Sequence, residues 1–243
     1  MDRGGMEKNI TLVILPGLDG TEVFFRPFLN SLPEYVRAVV VEYPGTGDND
    51  YETLLQFARE KVADIPEFFL IGSSFSGPLA IMLAAEEPER VQGIILSATF
   101  LRPPRDYQTY LRFACVGPVI WALRFARRFP VWVGRKPGDP FREAKAETWK
   151  RVSAWHLAAR ARAVLRVDVR EVWRKCTQPA LCISFTNDTV VPRHNADEII
   201  EVRPSAKLVV IEGDHLTVSK NHPPWKREIL QFIAETLVKT PAA

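Results

Sequence analysis

Six short runs of continuous, largely β-branched apolarity recur along the chain: Ile10 to Leu15, Ala38 to Glu42, Phe68 to Gly72, Gly93 to Ser97, Ala180 to Phe185 and Lys207 to Glu212. Unbroken rather than alternating apolarity marks strands covered on both faces, which is the signature of a parallel sheet between helical layers. Helical periodicity fills the intervals. Tyr51 to Ile65 places Leu54, Leu55, Ala58 and Val62 on one stripe, and Pro192 to Ile200 and Pro223 to Val238 each open with proline, which a first helical turn tolerates. A further helix is expected to start near Phe75. The pattern predicts an α/β fold with about six mostly parallel strands.

The alternation stops for about 75 residues after Ser97, too long for a loop and long enough for an inserted subdomain. Composition sharpens this division. Of the 32 Lys and Arg residues, 18 lie in 101–175, against six of the 29 Asp and Glu; five of the six tryptophans (Trp121, Trp132, Trp149, Trp155, Trp173) lie there too. The overall charge of +3 therefore hides an insertion of about +12 on a body of about −9. Breaks at Gly117-Pro118 and Pro137-Gly138 divide the insertion into about four helices. The expected organisation is a body of 1–100 and 176–243 with a helical cap of 101–175.

Three cysteines (Cys115, Cys176, Cys182) make no C-x-x-C pair, and an odd count argues against a disulfide framework. The polar start MDRGGMEKN, with no cleavage site behind it, carries no visible signal peptide, so a cytoplasmic location is expected. The longest apolar run, Phe113 to Leu123, falls short of the ~20 residues a membrane span needs. No G-x-x-x-x-G-K-[ST] loop is present, Gly45-Thr46-Gly47 lacks a third glycine at residue 50, and the histidines have no metal-site spacing. Neither a metal nor another cofactor is expected, and the modest net charge does not point to nucleic acid.

The chemistry concentrates in LIGSSFSGP, residues 70 to 78, between a predicted strand and a predicted helix. A nucleophile on a sharp strand-to-helix turn needs small residues two before and two after it. Gly72 and Ser76 satisfy this around Ser74, whereas centring the turn on Ser73 would put Ile71 and Phe75 there. A serine hydroxyl needs a base and an acid that orients it, following in the order acid, then histidine. Asp188 follows the strand Ala180 to Phe185, and His215 follows the last strand. Ser74, Asp188 and His215 thus fall at carboxyl ends of strands, where open α/β sheets bind ligands. For the oxyanion, the Leu18 N–H in Leu15-Pro16-Gly17-Leu18-Asp19-Gly20-Thr21 and the Phe75 N–H are the candidate donors.

Other readings stay open for neighbouring residues. Asp106 is a substitute acid, and Asp214 is a turn or ion-pair residue directed away from His215. His156 belongs to a cap helix or pocket lining, while His194 and His222 sit at helix starts as surface or turn residues.

On these motifs the chain resembles serine hydrolases of the α/β-hydrolase superfamily over nearly its whole length. PGLDGT resembles that family's oxyanion loop, with Pro-Gly where His-Gly is commoner, and EYPGTGDN (42–49) is similar to its Asp-x-Pro-Gly-x-Gly segment. Two departures stand out: Ser76 replaces the last glycine of G-x-S-x-G, and the first strand corresponds to the third of the full fold. The resemblance implies a carboxylesterase working through an acyl-enzyme, with a small ester carrying an apolar acyl part as substrate. Haloalkane dehalogenases and epoxide hydrolases of this superfamily carry aspartate where this chain has Ser74. A thioesterase, an acyltransferase and a binding module are the alternatives on the same fold. The basic cap is similar to those of pimeloyl-acyl-carrier-protein methyl ester esterases. It reads either as a solvated face or as a docking surface for an anionic partner: acyl carrier protein, coenzyme A or a lipid surface.

Overall fold

The computed structural model describes residues 9–105, 118, 140–220 and 222–239. Asp106, Cys115, Gly117, Trp121, Trp132 and the Pro137-Gly138 break lie outside the described residues.

Six strands form one sheet: β1 (Ile10–Leu15), β2 (Val36–Val40), β3 (Phe68–Ser73), β4 (Val91–Ser97), β5 (Ala180–Phe185) and β6 (Lys207–Ile211). Their order is β2-β1-β3-β4-β5-β6, and every pairing is parallel. The eight described helices are α1 (Arg26–Leu29), α2 (Tyr51–Lys61), α3 (Gly77–Glu86), α4 (Pro140–Arg151), α5 (Ala154–Val164), α6 (Arg170–Lys175), α7 (His194–Val202) and α8 (Pro223–Lys239).

The continuous apolar runs resolve into two cores because successive strand side chains point to opposite faces. Val13, Leu15, Leu70, Leu96 and Cys182 pack under α2, α3, α6 and α7; Leu12, Ile14, Ile71, Ile95 and Ile183 pack under α1 and α8. One fully buried tryptophan anchors each layer. Trp173 donates Nε1–H to Ile199 O (2.9 Å), and Trp225 donates to Ser97 Oγ (3.0 Å) with its ring edge-on to Phe28. Trp173, grouped with the insertion by composition, therefore packs in the body's core.

Most boundary differences have local causes. The second strand starts at Val36 rather than Ala38, because the polar Arg37 is tolerated on an edge strand. It ends at Val40, where Tyr43 N–H turns away to Gly20 O (2.9 Å). Helix α2 stops at Lys61, and the Arg90 guanidinium takes up the carbonyls of Val62, Ala63 and Ile65 just beyond it. Helix α7 begins at His194 because the Pro192 carbonyl is occupied by both the N–H and the side-chain amide of Asn195.

Between β4 and β5, α4 and α5 lie across the carboxyl edge of the sheet. Two ion pairs tie α4 to the body: Arg26 with Glu147 (2.7 Å) and Arg151 with Glu42 (2.7 Å). Each is a third or more exposed, so they fix orientation more than they stabilise. The chain reverses its direction of sheet growth between β1 and β3. Open α/β sheets place their ligands at such a switch point, beyond the carboxyl ends of the two strands. Here those ends carry residues 16–20 and Ser74.

Candidate active site

Ser74 follows β3 directly in a left-handed backbone conformation (φ +54°), an expensive state for a residue with a side chain. The neighbours leave little alternative. A Cβ on Gly72 would stand 2.6 Å from Ala80 Cβ and 2.8 Å from Ser76 O, and one on Gly77 would collide with Thr99 Oγ1. Ser76 is tolerated where glycine is usual because its hydroxyl is used. It accepts Ser73 N–H (2.8 Å) and donates to Leu15 O (2.6 Å), with Ser73 O also within 3.0 Å. Ser73 completes the reciprocal cap with Ser76.

The three predicted side chains come together. Ser74 Oγ lies 2.9 Å from His215 Nε2, and His215 Nδ1 lies 2.7 Å from Asp188 Oδ2. The other carboxylate oxygen of Asp188 accepts the N–H groups of Val190 (2.9 Å) and Val191 (2.8 Å). With its side chain 1% exposed, Asp188 is held at both oxygens, while the imidazole is 16% exposed. An ionised carboxylate only accepts, so the proton sits on Nδ1 and Nε2 is left to accept from Ser74 Oγ–H. Asp214 turns the other way, to Lys220 Nζ (2.8 Å) and Leu216 N–H; the lysine holds its carboxyl below the ordinary carboxylate range.

The Leu18 and Phe75 N–H groups have no acceptor among the described residues, and both residues line a cavity with Ser74. A peptide's N–H points opposite its C=O, so each donor is aimed by the partner of the carbonyl in its own peptide. Ser74 O, in the peptide carrying Phe75 N–H, accepts from the Thr99 hydroxyl. Gly17 O, in the peptide carrying Leu18 N–H, accepts from Gly20 N–H (3.0 Å). Tyr51 adds a hydroxyl to Phe75 O (2.7 Å) and stacks on the Phe75 ring. Thr99 and Tyr51 escape sequence reading because their partners are backbone carbonyls, which leave no trace in residue type.

The cavity beside Ser74 measures about 220 Å³ and is almost wholly apolar, with Phe100, Pro103, Val164, Leu165 and Val191 on its walls. His156 is not part of it. It binds Ser153 Oγ through Nδ1 (3.0 Å), lines a separate polar cavity with Glu42 and Arg151, and is held less basic than an ordinary histidine by burial and by Arg160. His194 lies against the Asn195 amide, and His222 precedes α8. Among the described residues no group of three His, Cys, Asp or Glu side chains could hold a metal ion, Cys176 and Cys182 are free thiols, and no helix is long and apolar enough to cross a membrane.

A parallel six-stranded sheet, a serine on a strained turn after its third strand and a His–Asp pair on the last two strand ends make an α/β-hydrolase fold with a Ser–His–Asp line at its carboxyl edge. Residues 12–225 match the model of the alpha/beta hydrolase family, and the chain belongs to that family. It is 22% identical over 246 residues to RutD of Serratia proteamaculans, a protein named for carbamate hydrolase activity; the match covers 93% of this chain and 91% of that one. Among solved structures, a Nitrososphaera gargenis protein from a study of carboxylesterases superimposes with a TM-score of 0.78 at 20% identity, covering 97% of this chain and 94% of the other. The enol-lactonase of Burkholderia xenovorans gives 0.73 at 18% identity, covering 96% and 94%.

Proposed function

We propose that this protein hydrolyses carboxylic esters through an acyl-enzyme on Ser74. The observation that carries the reading is the unbroken line Ser74 Oγ–His215–Asp188 opening onto an apolar cavity. As Oγ attacks the ester carbonyl carbon, His215 Nε2 takes its proton, and the Leu18 and Phe75 N–H groups receive the charge that develops on the carbonyl oxygen. Collapse of the tetrahedral intermediate breaks the C–O bond to the alcohol, which leaves with the proton from His215. Water then attacks the acyl-enzyme, giving up a proton to His215, and the acid departs as the serine regains its proton. Asp188 holds the imidazole in the required tautomer throughout. The apolar walls favour acyl groups with hydrocarbon parts and keep water away from the intermediate.

Fluorophosphonate labelling with peptide mass readout, followed by turnover of p-nitrophenyl esters of graded chain length, tests this. The expected result is one adduct on Ser74, and Ser74→Ala folded but slower by roughly 10⁴-fold or more. Wild-type-like turnover in that variant would falsify the assignment.

The similarity to RutD supports a second reading, carbamate hydrolysis at the same serine. A carbamate carbonyl is attacked in the same way, so relative kcat/KM on matched ester and carbamate substrates separates the two. Thioester substrates and competing alcohols test transfer of the acyl group to acceptors other than water. Docking of an acyl carrier protein, coenzyme A or a lipid surface on the basic insertion is proposed as a further possibility for the natural substrate's carrier, its test being salt-sensitive binding of those anions.

A further inference from the structure

Helix α5 directs an arginine inward. Arg160 is 1% exposed, and burying a guanidinium costs several kcal/mol unless its N–H groups are met. No ion pair meets it among the described residues, and the nearby Asp19 carboxylate is taken by Thr21 N–H and Oγ1–H. Its partners are instead neutral oxygens of two body loops. Nε and Nη2 donate to Asn49 Oδ1 (2.9 and 2.6 Å), and Nη1 donates to Leu18 O (3.1 Å) and Asp19 O (2.8 Å). The guanidinium lies over the Tyr43 ring, 5.1 Å from its centre.

Both loops are shaped to receive it. Asn49 is fully buried at φ +58° and gives its amide N–H groups to Thr46 O and Gly47 O, which turns Oδ1 toward the arginine. Gly20, at φ +70°, is packed so closely that a Cβ would lie 2.5 Å from Arg160 Nη1 and 2.6 Å from Tyr43 Cδ2. Burial lowers the guanidinium pKa to about 10, which leaves it charged at neutral pH.

The contacts have a common effect. Gly17, Leu18 and Asp19 present three successive carbonyls, the first held by Gly20 N–H and the next two by Arg160. The loop is thereby held with Leu18 on the wall of the cavity beside Ser74 and its N–H without an acceptor among the described residues. We propose that Arg160 is a positioning residue: the insertion supplies a guanidinium that sets the oxyanion loop, so that stabilisation of the tetrahedral oxyanion depends on the insertion being docked. This rests on the ester-hydrolase reading above.

A misplaced oxyanion donor weakens binding of the transition state while leaving that of the substrate, which separates this role from plain packing. The experiment compares full-length wild type, Arg160→Met and Arg160→Lys. It measures kcat and KM on a short p-nitrophenyl ester, affinity for a trifluoromethyl ketone that forms a tetrahedral adduct on serine, and thermal unfolding. Arg160→Met should fold, lose about 30- to 300-fold in kcat with KM within about threefold, and lose ketone affinity by the same factor as kcat. Arg160→Lys should fall between, about 3- to 30-fold, because an ammonium cannot grip Asn49 and both carbonyls at once. Were Arg160→Met to misfold, the lysine variant decides by the same parallel loss. Ketone affinity within threefold of wild type in a folded variant overturns the proposal and leaves Ser74 chemistry standing. A wild type that forms no Ser74 adduct and turns over no ester overturns both.

Discussion

The two sides of the proposed oxyanion site are built on different principles. The elbow that carries Phe75 N–H is fixed entirely from within the body, by two glycines that admit no side chain, the Ser76 hydroxyl, Thr99 and Tyr51. The loop that carries Leu18 N–H is held by Gly20, Thr21 and Tyr43 of the body and also from outside it, by an arginine 142 residues further along the chain. One side depends on residues of the body alone, and the other also on a helix inserted between β4 and β5. The comparison teaches that a site can have a permanent half and a conditional half while both use the same chemical group, a backbone N–H.

The sharpest way to break this contrast is at the part both halves serve. Asp188→Asn keeps the shape but supplies a donor where Nδ1–H needs an acceptor; activity should fall by roughly 10⁴-fold in steady-state kinetics, with little change in KM. Next comes the permanent half itself. Gly77→Ala forces Thr99 away from the elbow, and overpacking of this kind costs about 1–3 kcal/mol, visible as a lowered denaturation midpoint together with slower fluorophosphonate labelling. Thr99→Val keeps the volume and removes only the hydroxyl on Ser74 O. Its kcat should drop about 10- to 100-fold, since the Phe75 N–H is released without being deleted. The smallest effect is expected from Tyr43, which supports the conditional loop from within the body. Tyr43→Phe removes the hydroxyl that donates to Pro16 O (3.0 Å), for a loss of about 1–3 kcal/mol in stability and a few-fold in kcat, because Arg160 still holds the loop. Should Tyr43→Phe cost more in kcat than Thr99→Val, the two halves would have to be exchanged in this account.

The same division explains what could be read from residues alone. The strands were legible because a sheet covered on both faces demands apolar residues at every position, and the elbow because small residues at fixed offsets are a local steric requirement. Asp188 and His215 followed from their places after strands. Arg160, Asn49 and Thr99 were not legible: in sequence the first is one arginine of many in a basic segment, and what distinguishes it is burial against distant loops. Trp173 was misgrouped for a related reason, since composition sees which segment a residue belongs to and not the layer against which it packs. Asp214 and Asp188 were told apart by direction, which depends on the turn that Lys220 helps to hold.

Ser76, the residue that departs from the family's glycine, links the two halves. Its hydroxyl reaches Leu15 O, the last residue of β1 before the oxyanion loop begins, one step beyond the register in which Leu15 pairs with Gly72. A single oxygen thus acts as a gauge block between the strand that carries one donor and the turn that carries the other. The end of β1 is thereby held at a set distance from the turn, and only the stretch from Leu15 to Leu18 is left for the insertion to place.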